Sequence, residues 1–176
     1  DAKVLVAWNA PLGLGMARAG RVCGNDEWIA SARRALDFIH ATMWKDGRLF
    51  ATYKDGRAHL NAYLDDYAFL IDAIVEILQA RFDVGLLEFA EEIADALLEQ
   101  FEDADAGGFY FTVRHHEQLI HRPKPAPAPR TPSCPGMASL AMPRLAALTR
   151  EAPSRQSSAR PPQLPSPQSR LVATCP

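Results

Sequence analysis

The chain has 176 residues and a formal net charge of −2, enough for one domain with a real core. Its three cysteines include no Cys-x-x-Cys pair, and no apolar run approaches the ~20 residues of a membrane span. That excludes a disulfide framework, a cysteine-based zinc site and a transmembrane helix, and a reducing, cytoplasmic setting is expected.

The average charge hides a split. Residues 1–122 carry 20 acidic and 12 basic side chains (−8), residues 123–176 carry 1 acidic and 7 basic (+6), and 13 of the 14 prolines lie at or beyond Pro123. Two kinds of sequence are joined end to end. A start at Asp1 without an initiator Met leads us to expect a fragment or a processed chain.

In chain order, residues 2–22 are helix-forming, with a break or a late helix start expected near Pro11. Asn25-Asp26-Glu27 reads as a helix N-terminus with Asp26 as cap. Trp28, Ile29, Ala32, Ala35, Leu36, Ile39 and Met43 then give helical spacing over about 26–44. Leu49–Tyr53, between Asp46-Gly47 and Asp55-Gly56, reads as a short strand or an extended loop. Further helices are predicted over about 62–81 and 86–101, the second carrying Leu86, Leu87, Phe89, Ala90, Ile93, Leu97 and Phe101 on one face. Phe109–Val113 is a short β-like run that Leu119-Ile120-His121 can pair with as a hairpin.

Helix, turn, helix, then a loop or hairpin thus occurs twice before Pro123, with a period of about 60 residues. The pattern predicts an all-α fold of consecutive α-hairpins with short β-hairpin loops. Residues 1–122 form the domain and 123–135 a proline-rich, extended linker. Residues 136–150 can form a helix that Pro143 either kinks or starts, and 151–176 is expected to be a disordered tail.

The helix over 62–81 carries the most chemical information. At about 100° per residue, Leu64, Tyr67, Ala68, Ile71, Ile74, Val75 and Leu78 share one face, while Asp65, Asp72 and Glu76 form what reads as a solvated stripe. Asp66 falls with neither, because its helical neighbours are Phe69, Leu70, Ala73 and Ile77. A carboxylate on a helix that is apolar nearly all round must be hydrogen-bonded, paired or protonated, and such acids are candidates for function. The alternative is that Asp66 satisfies backbone N–H groups at the helix start.

Other chemistry is sparse. There is no Gly-rich phosphate loop, Gly-x-Ser-x-Gly elbow or His-Glu-x-x-His motif. His115-His116-Glu117 with His121 is the sole metal-like cluster, but adjacent strand residues point to opposite faces, so no metal is expected there. Trp8-Asn9 reads as a core tryptophan with a capping asparagine. The basic tail lacks the interleaved aromatics of nucleic-acid binders, so neither nucleic acid nor membrane is an expected partner. Asp65 and Asp66 diverge by about 100° on a helix and cannot work as a glycosidase pair.

Taken in order, Asp1-x-Lys3, Trp8-Asn9, Leu64-Asp65-Asp66-Tyr67-Ala68, Gly107-Gly108-Phe109-Tyr110-Phe111 and Leu119-Ile120-His121-Arg122-Pro123-Lys124 resemble one family. It is the bacterial thioredoxin-domain-containing proteins related to spermatogenesis-associated protein 20. The resemblance covers residues 1–122, and in part 131–151 through Thr131-Pro132-Ser133 and Arg144–Thr149. It implies a slice of a six-hairpin α/α toroid similar to N-acylglucosamine 2-epimerases and six-hairpin glycosidases, normally joined to a thioredoxin-like domain that is missing here.

The resemblance further implies a ligand site in a central funnel. There Asp66 would be catalytic, Trp8, Asn9, Tyr67, Arg122 and Lys124 would bind a sugar-like small molecule, and no cofactor would be needed. The family stretch Lys-Pro-x-x-Asp-x-Ala-x-Pro-Ser-Gly-Asn departs here, with Ala128 for Asp and Cys134-Pro135 for Gly-Asn. The last 25 or so residues do not resemble the family's following helices, as after a change of reading frame. Two to three hairpins do not close a ring of six, so little independent activity is expected, together with self-association through exposed helix faces. The rival reading from a different class is a non-catalytic helical scaffold that regulates a thioredoxin-like partner.

Overall fold

A short strand, β1 (Lys3–Leu5), leads directly into the first helix, α1 (Val6–Cys23). The structure is a computed structural model that describes residues 3–103, 108–112 and 134–151. α1 runs unbroken through Pro11, so the break or late start expected there does not occur. Pro11 lies in the second turn, where its missing N–H forfeits only the bond to the carbonyl of Ala7. Packing against the two following helices outweighs that loss.

Gly24 ends α1 in the left-handed conformation (φ 67°), as a residue without Cβ can do freely. The next helix, α2 (Asp26–Met43), is capped by Asn25 rather than by Asp26. The Asn25 side-chain oxygen accepts the N–H groups of Glu27 (3.1 Å) and Trp28 (3.2 Å). Asp26 and Glu27 instead occupy the first turn, where the helix dipole favours negative charge.

Between the hairpins the strand reading of Leu49–Tyr53 holds. β3 (Arg48–Lys54) is the centre of a small antiparallel sheet and pairs with β1, with β2 (Trp44–Lys45) and with β4 (Arg57–Asn61). Its two hairpin turns are Asp46-Gly47 and Asp55-Gly56, each with positive φ at both positions, the arrangement that matches strand twist.

The second α-hairpin follows, with α3 (Leu64–Ala80) and α4 (Val84–Phe101). Asp83 caps α4 by accepting the N–H of Leu86 at 2.8 Å. A last helix, α5 (Cys134–Glu151), passes through Pro143, which therefore does not set its start. Of the expected run over 109–113, the described part forms only an isolated bridge, Glu102 to Phe109. Residues 113–133, with the expected second strand, the His cluster and the proline-rich linker, lie outside the described residues, as does the tail from 152.

α3 is the hub of the molecule. It packs against α1 on one flank and α5 on the other, with α4 and α2 behind. Of its 17 residues, 13 are buried. One apolar core runs from Val6 and Ala10 of α1, through Leu36 and Met43 of α2 and most of α3, to Phe89 and Leu97 of α4 and Leu145 of α5. Consecutive α-hairpins with short β-hairpins in the connections are the all-α architecture that the periodicity predicts.

Candidate functional site

The start of α3 gathers the residues singled out from the sequence. Tyr63 precedes the helix in extended conformation, and the Asp66 carboxylate reaches back to accept its N–H at 2.9 Å. That is the return arm of a capping box, which ties a carboxylate at the third helical position to the cap's own backbone. Asp66 is only 3% exposed. Burial pushes its carboxyl up to about 6, with the neighbouring charge of Asp65 adding to the rise; the N–H groups of Tyr63 and Ala7 pull the other way. The Ala7 contact brings the beginning of α1 against the acid.

Asp65 is half-buried and accepts the N–H of Asp66 (3.2 Å), and burial raises its pKa as well. Residues 108–112 close over this corner. The Leu64 N–H donates to the Phe111 carbonyl (3.3 Å), and the Tyr63 and Phe111 rings stack at 5.1 Å with an interplanar angle of 17°. Two motifs far apart in sequence thus meet beside Asp66. An acid that titrates near neutral pH can give or take a proton there, while its hydrogen bonds also serve the helix start.

The other site candidates take different positions. Trp8 is 72% exposed, so the core tryptophan expected at this position is instead a surface residue. Asn9 donates its side-chain N–H to the Leu5 carbonyl (2.8 Å), within the first turn of α1. Tyr67 faces the ends of α2 and α4. It is buried against Trp44 and Phe101, its hydroxyl accepts the Leu49 N–H (2.9 Å) and donates to Gln100 (3.4 Å), and burial raises its pKa. Arg122 and Lys124 lie outside the described residues.

The stripe read as solvated is corrected. Asp72 and Glu76 are buried, 7% and 1% exposed, because arginines from two other helices cover them. Arg18 and Arg21 of α1 each reach Glu76 at 2.9 Å. Arg144 of α5 bonds Glu76 at 3.0 Å and also pairs with Asp72. Burial pushes the Glu76 carboxyl up, but hydrogen bonds from Arg18, Arg21 and Arg144 outweigh it and hold it at about 2. Arg18 is raised in turn, chiefly by its hydrogen bond to Glu76. Sequence reasoning missed these arginines. The available signal was Arg18 and Arg21, three residues apart on an otherwise apolar helix, since a buried acid requires such partners.

Among the described residues no group of three or more His, Cys, Asp or Glu is placed to hold a metal ion, and no helix is long and apolar enough to cross a membrane.

The arrangement of α-hairpins is shared with solved α/α toroids. Cellobiose 2-epimerase from Spirochaeta thermophila superposes on 85% of this chain, using 39% of its own, with a TM-score of 0.65 at 21% identity. Unsaturated glucuronyl hydrolase from a Bacillus species covers 82% of this chain and 40% of its own (TM-score 0.58, 14% identity). A sugar epimerase from a ruminal bacterium covers 63% and 30% (TM-score 0.57, 18% identity). At these identities the likeness is one of fold, and it defines the class: consecutive hairpins of a six-hairpin-type α/α toroid.

In sequence, part of the chain is similar to spermatogenesis-associated protein 20. It is 31% identical to the human protein over 120 residues and 28% identical to the rat protein. The match takes in 62% of this chain and spans only 15% of the length of those relatives. No protein-family model matches the chain.

Proposed function

We propose that this chain is a portion of a carbohydrate-processing toroid, of epimerase, isomerase or glycosidase type, and that it turns over no sugar by itself. The observation that carries this reading is the extensive fold likeness to cellobiose 2-epimerase. Asp66 is its acid–base residue, supported by a carboxyl whose pKa of about 6 suits proton transfer near neutrality. Trp8, Asn9 and Tyr67, with Arg122 and Lys124, are its substrate-binding candidates. In the longer protein a thioredoxin-like domain is the expected partner, and the setting is cytoplasmic.

The test is a thermal-shift screen with a panel of neutral and acidic mono- and disaccharides on wild type and Asp66→Asn. A sugar that raises the wild-type Tm and loses its effect in the variant supports the reading. Silence across the panel transfers support to a non-catalytic helical scaffold that regulates its partner. One observation already favours that second reading: the Asp66 carboxylate is engaged by the N–H groups of Tyr63 and Ala7, as a purely structural acid would be.

A further inference from the structure

On α3, Asp65, Asp72 and Glu76, with Phe69 beside them, lie on the side opposite Tyr67, given about 100° per residue. Tyr67 packs on Trp44, which follows α2, and on Phe101, which ends α4. The stripe therefore faces away from α2 and α4, on the side of the row α1–α3–α5 that carries the arginines. On that side three guanidiniums from two helices converge on the carboxylates of Asp72 and Glu76.

The carboxylates are buried while Arg18, Arg21 and Arg144 remain 53%, 44% and 31% exposed. Each guanidinium has five N–H donors in a planar fork. Arg18 and Arg21 each use one terminal nitrogen on Glu76. Glu76 thus acts as an anchor from behind, fixing the forks as an outer-shell partner orients a ligand-binding group.

Neutralising Glu76 requires one arginine. The second from α1 brings like charges onto the same carboxylate, an arrangement that an incoming anion stabilises. Phe69 is half-buried one turn earlier on the stripe, where its ring can contact an apolar sugar face.

We infer that Arg18, Arg21 and Arg144, held by Asp72 and Glu76, form an anion-recognition site for a sugar-sized ligand bearing a carboxylate or phosphate. The inference rests on the carbohydrate reading above and narrows it to acidic sugars. All five residues belong to this chain, so the site needs no further hairpin to bind.

The test measures binding of D-glucuronate, glucose 6-phosphate, D-glucose, inorganic phosphate and sulfate to the full 176-residue chain by calorimetry at constant ionic strength. Glucuronate or glucose 6-phosphate is expected to bind at least tenfold tighter than glucose, and whichever is tighter identifies the oxyanion. Arg18→Gln is expected to abolish that preference. Arg33→Gln, which removes two ion pairs, with Asp37 and with Asp83, is expected to keep it.

If Arg18→Gln does not fold by circular dichroism, Arg18→Lys retains the charge but not the fork and should weaken binding at least fivefold. Equal binding of glucose and glucuronate overturns the inference and leaves the carbohydrate reading standing. Inorganic ions that match the sugar acids reduce the cluster to an adventitious ion site only and also overturn it. Binding that Arg18→Gln and Arg18→Lys leave unchanged, or no binding by any probe, does the same.

Discussion

Two buried acids on one helix, ten residues apart, are driven in opposite directions by their neighbours, and each sets a pH dependence of known sign. Asp66 is raised from 3.8 to about 6, so the fold prefers it protonated. Stability is therefore highest below 3.8 as far as this group is concerned, and falls by about 3 kcal/mol as pH climbs to 6 and above. Asp66→Asn keeps an oxygen for the Tyr63 N–H but removes the charge. We expect it to exceed wild type by about 1–3 kcal/mol at pH 7 in urea unfolding, with the gap closing towards pH 4; parallel profiles for the two proteins would contradict this. Glu76 is lowered from 4.5 to about 2, so its contribution is present above 4.5 and disappears as pH falls through 2. Glu76→Gln leaves three arginines without their anchor. Because those arginines are a third to half exposed, the loss at pH 7 is expected at the low end for a broken buried pair, about 2–3 kcal/mol. A loss below about 0.5 kcal/mol would place the cluster with ordinary surface pairs.

Helix α1 shows how packing decides what a local rule leaves undecided. Two of its three glycines, Gly15 and Gly20, have opposite surroundings. A Cβ on Gly15 meets nothing within 4 Å, whereas one on Gly20 would lie 2.7 Å from Ile29 Cγ1 and 2.8 Å from the Asn25 carbonyl oxygen. Gly15→Ala is thus expected to stabilise by about 0.5–1 kcal/mol through helix propensity. Gly20→Ala is expected to destabilise by about 1–3 kcal/mol through overpacking against backbone that cannot yield. A thermal melt of both variants checks the signs, and a stabilised Gly20→Ala would refute the close approach of α1 to the α1–α2 turn. The same distinction separates what the sequence made legible from what it concealed. α2 and α4 were readable because one face of each is apolar at 3–4 spacing, and the largely buried α3 because it is apolar nearly all round. Pro11 misled because a propensity rule concerns the isolated helix, while α1 is held by its neighbours. Asp72 and Glu76 misled for a related reason: their partners lie 55 to 72 residues away, and periodicity describes only a helix's own faces. Asp66 was legible as an acid in apolar surroundings, but its approach to Ala7 and to the Phe111 corner required the tertiary structure.

At the scale of the whole molecule, α1 and α3 differ in cover far more than in composition. α3 is flanked by a helix on both sides, while α1 has α2 and α3 to one side and nothing described on the other. Its open flank presents Trp8, Leu12 and Val22, 72%, 61% and 76% exposed, with Pro11, Gly15, Met16 and Ala19 forming a shallow groove beside Trp28. A helix apolar nearly all round is normally covered all round, and an exposed continuous apolar surface drives association. The expectation is that the isolated chain self-associates through this flank, one copy covering another. Sedimentation velocity should show a sedimentation coefficient that rises with concentration. Leu12→Glu and Trp8→Lys should lower it towards the monomer value while leaving the urea midpoint of dilute protein unchanged, because neither side chain contributes to the core. A wild type that stays monomeric at high concentration would mean that the exposed flank is tolerated in water, and the charge variants would then have nothing to suppress.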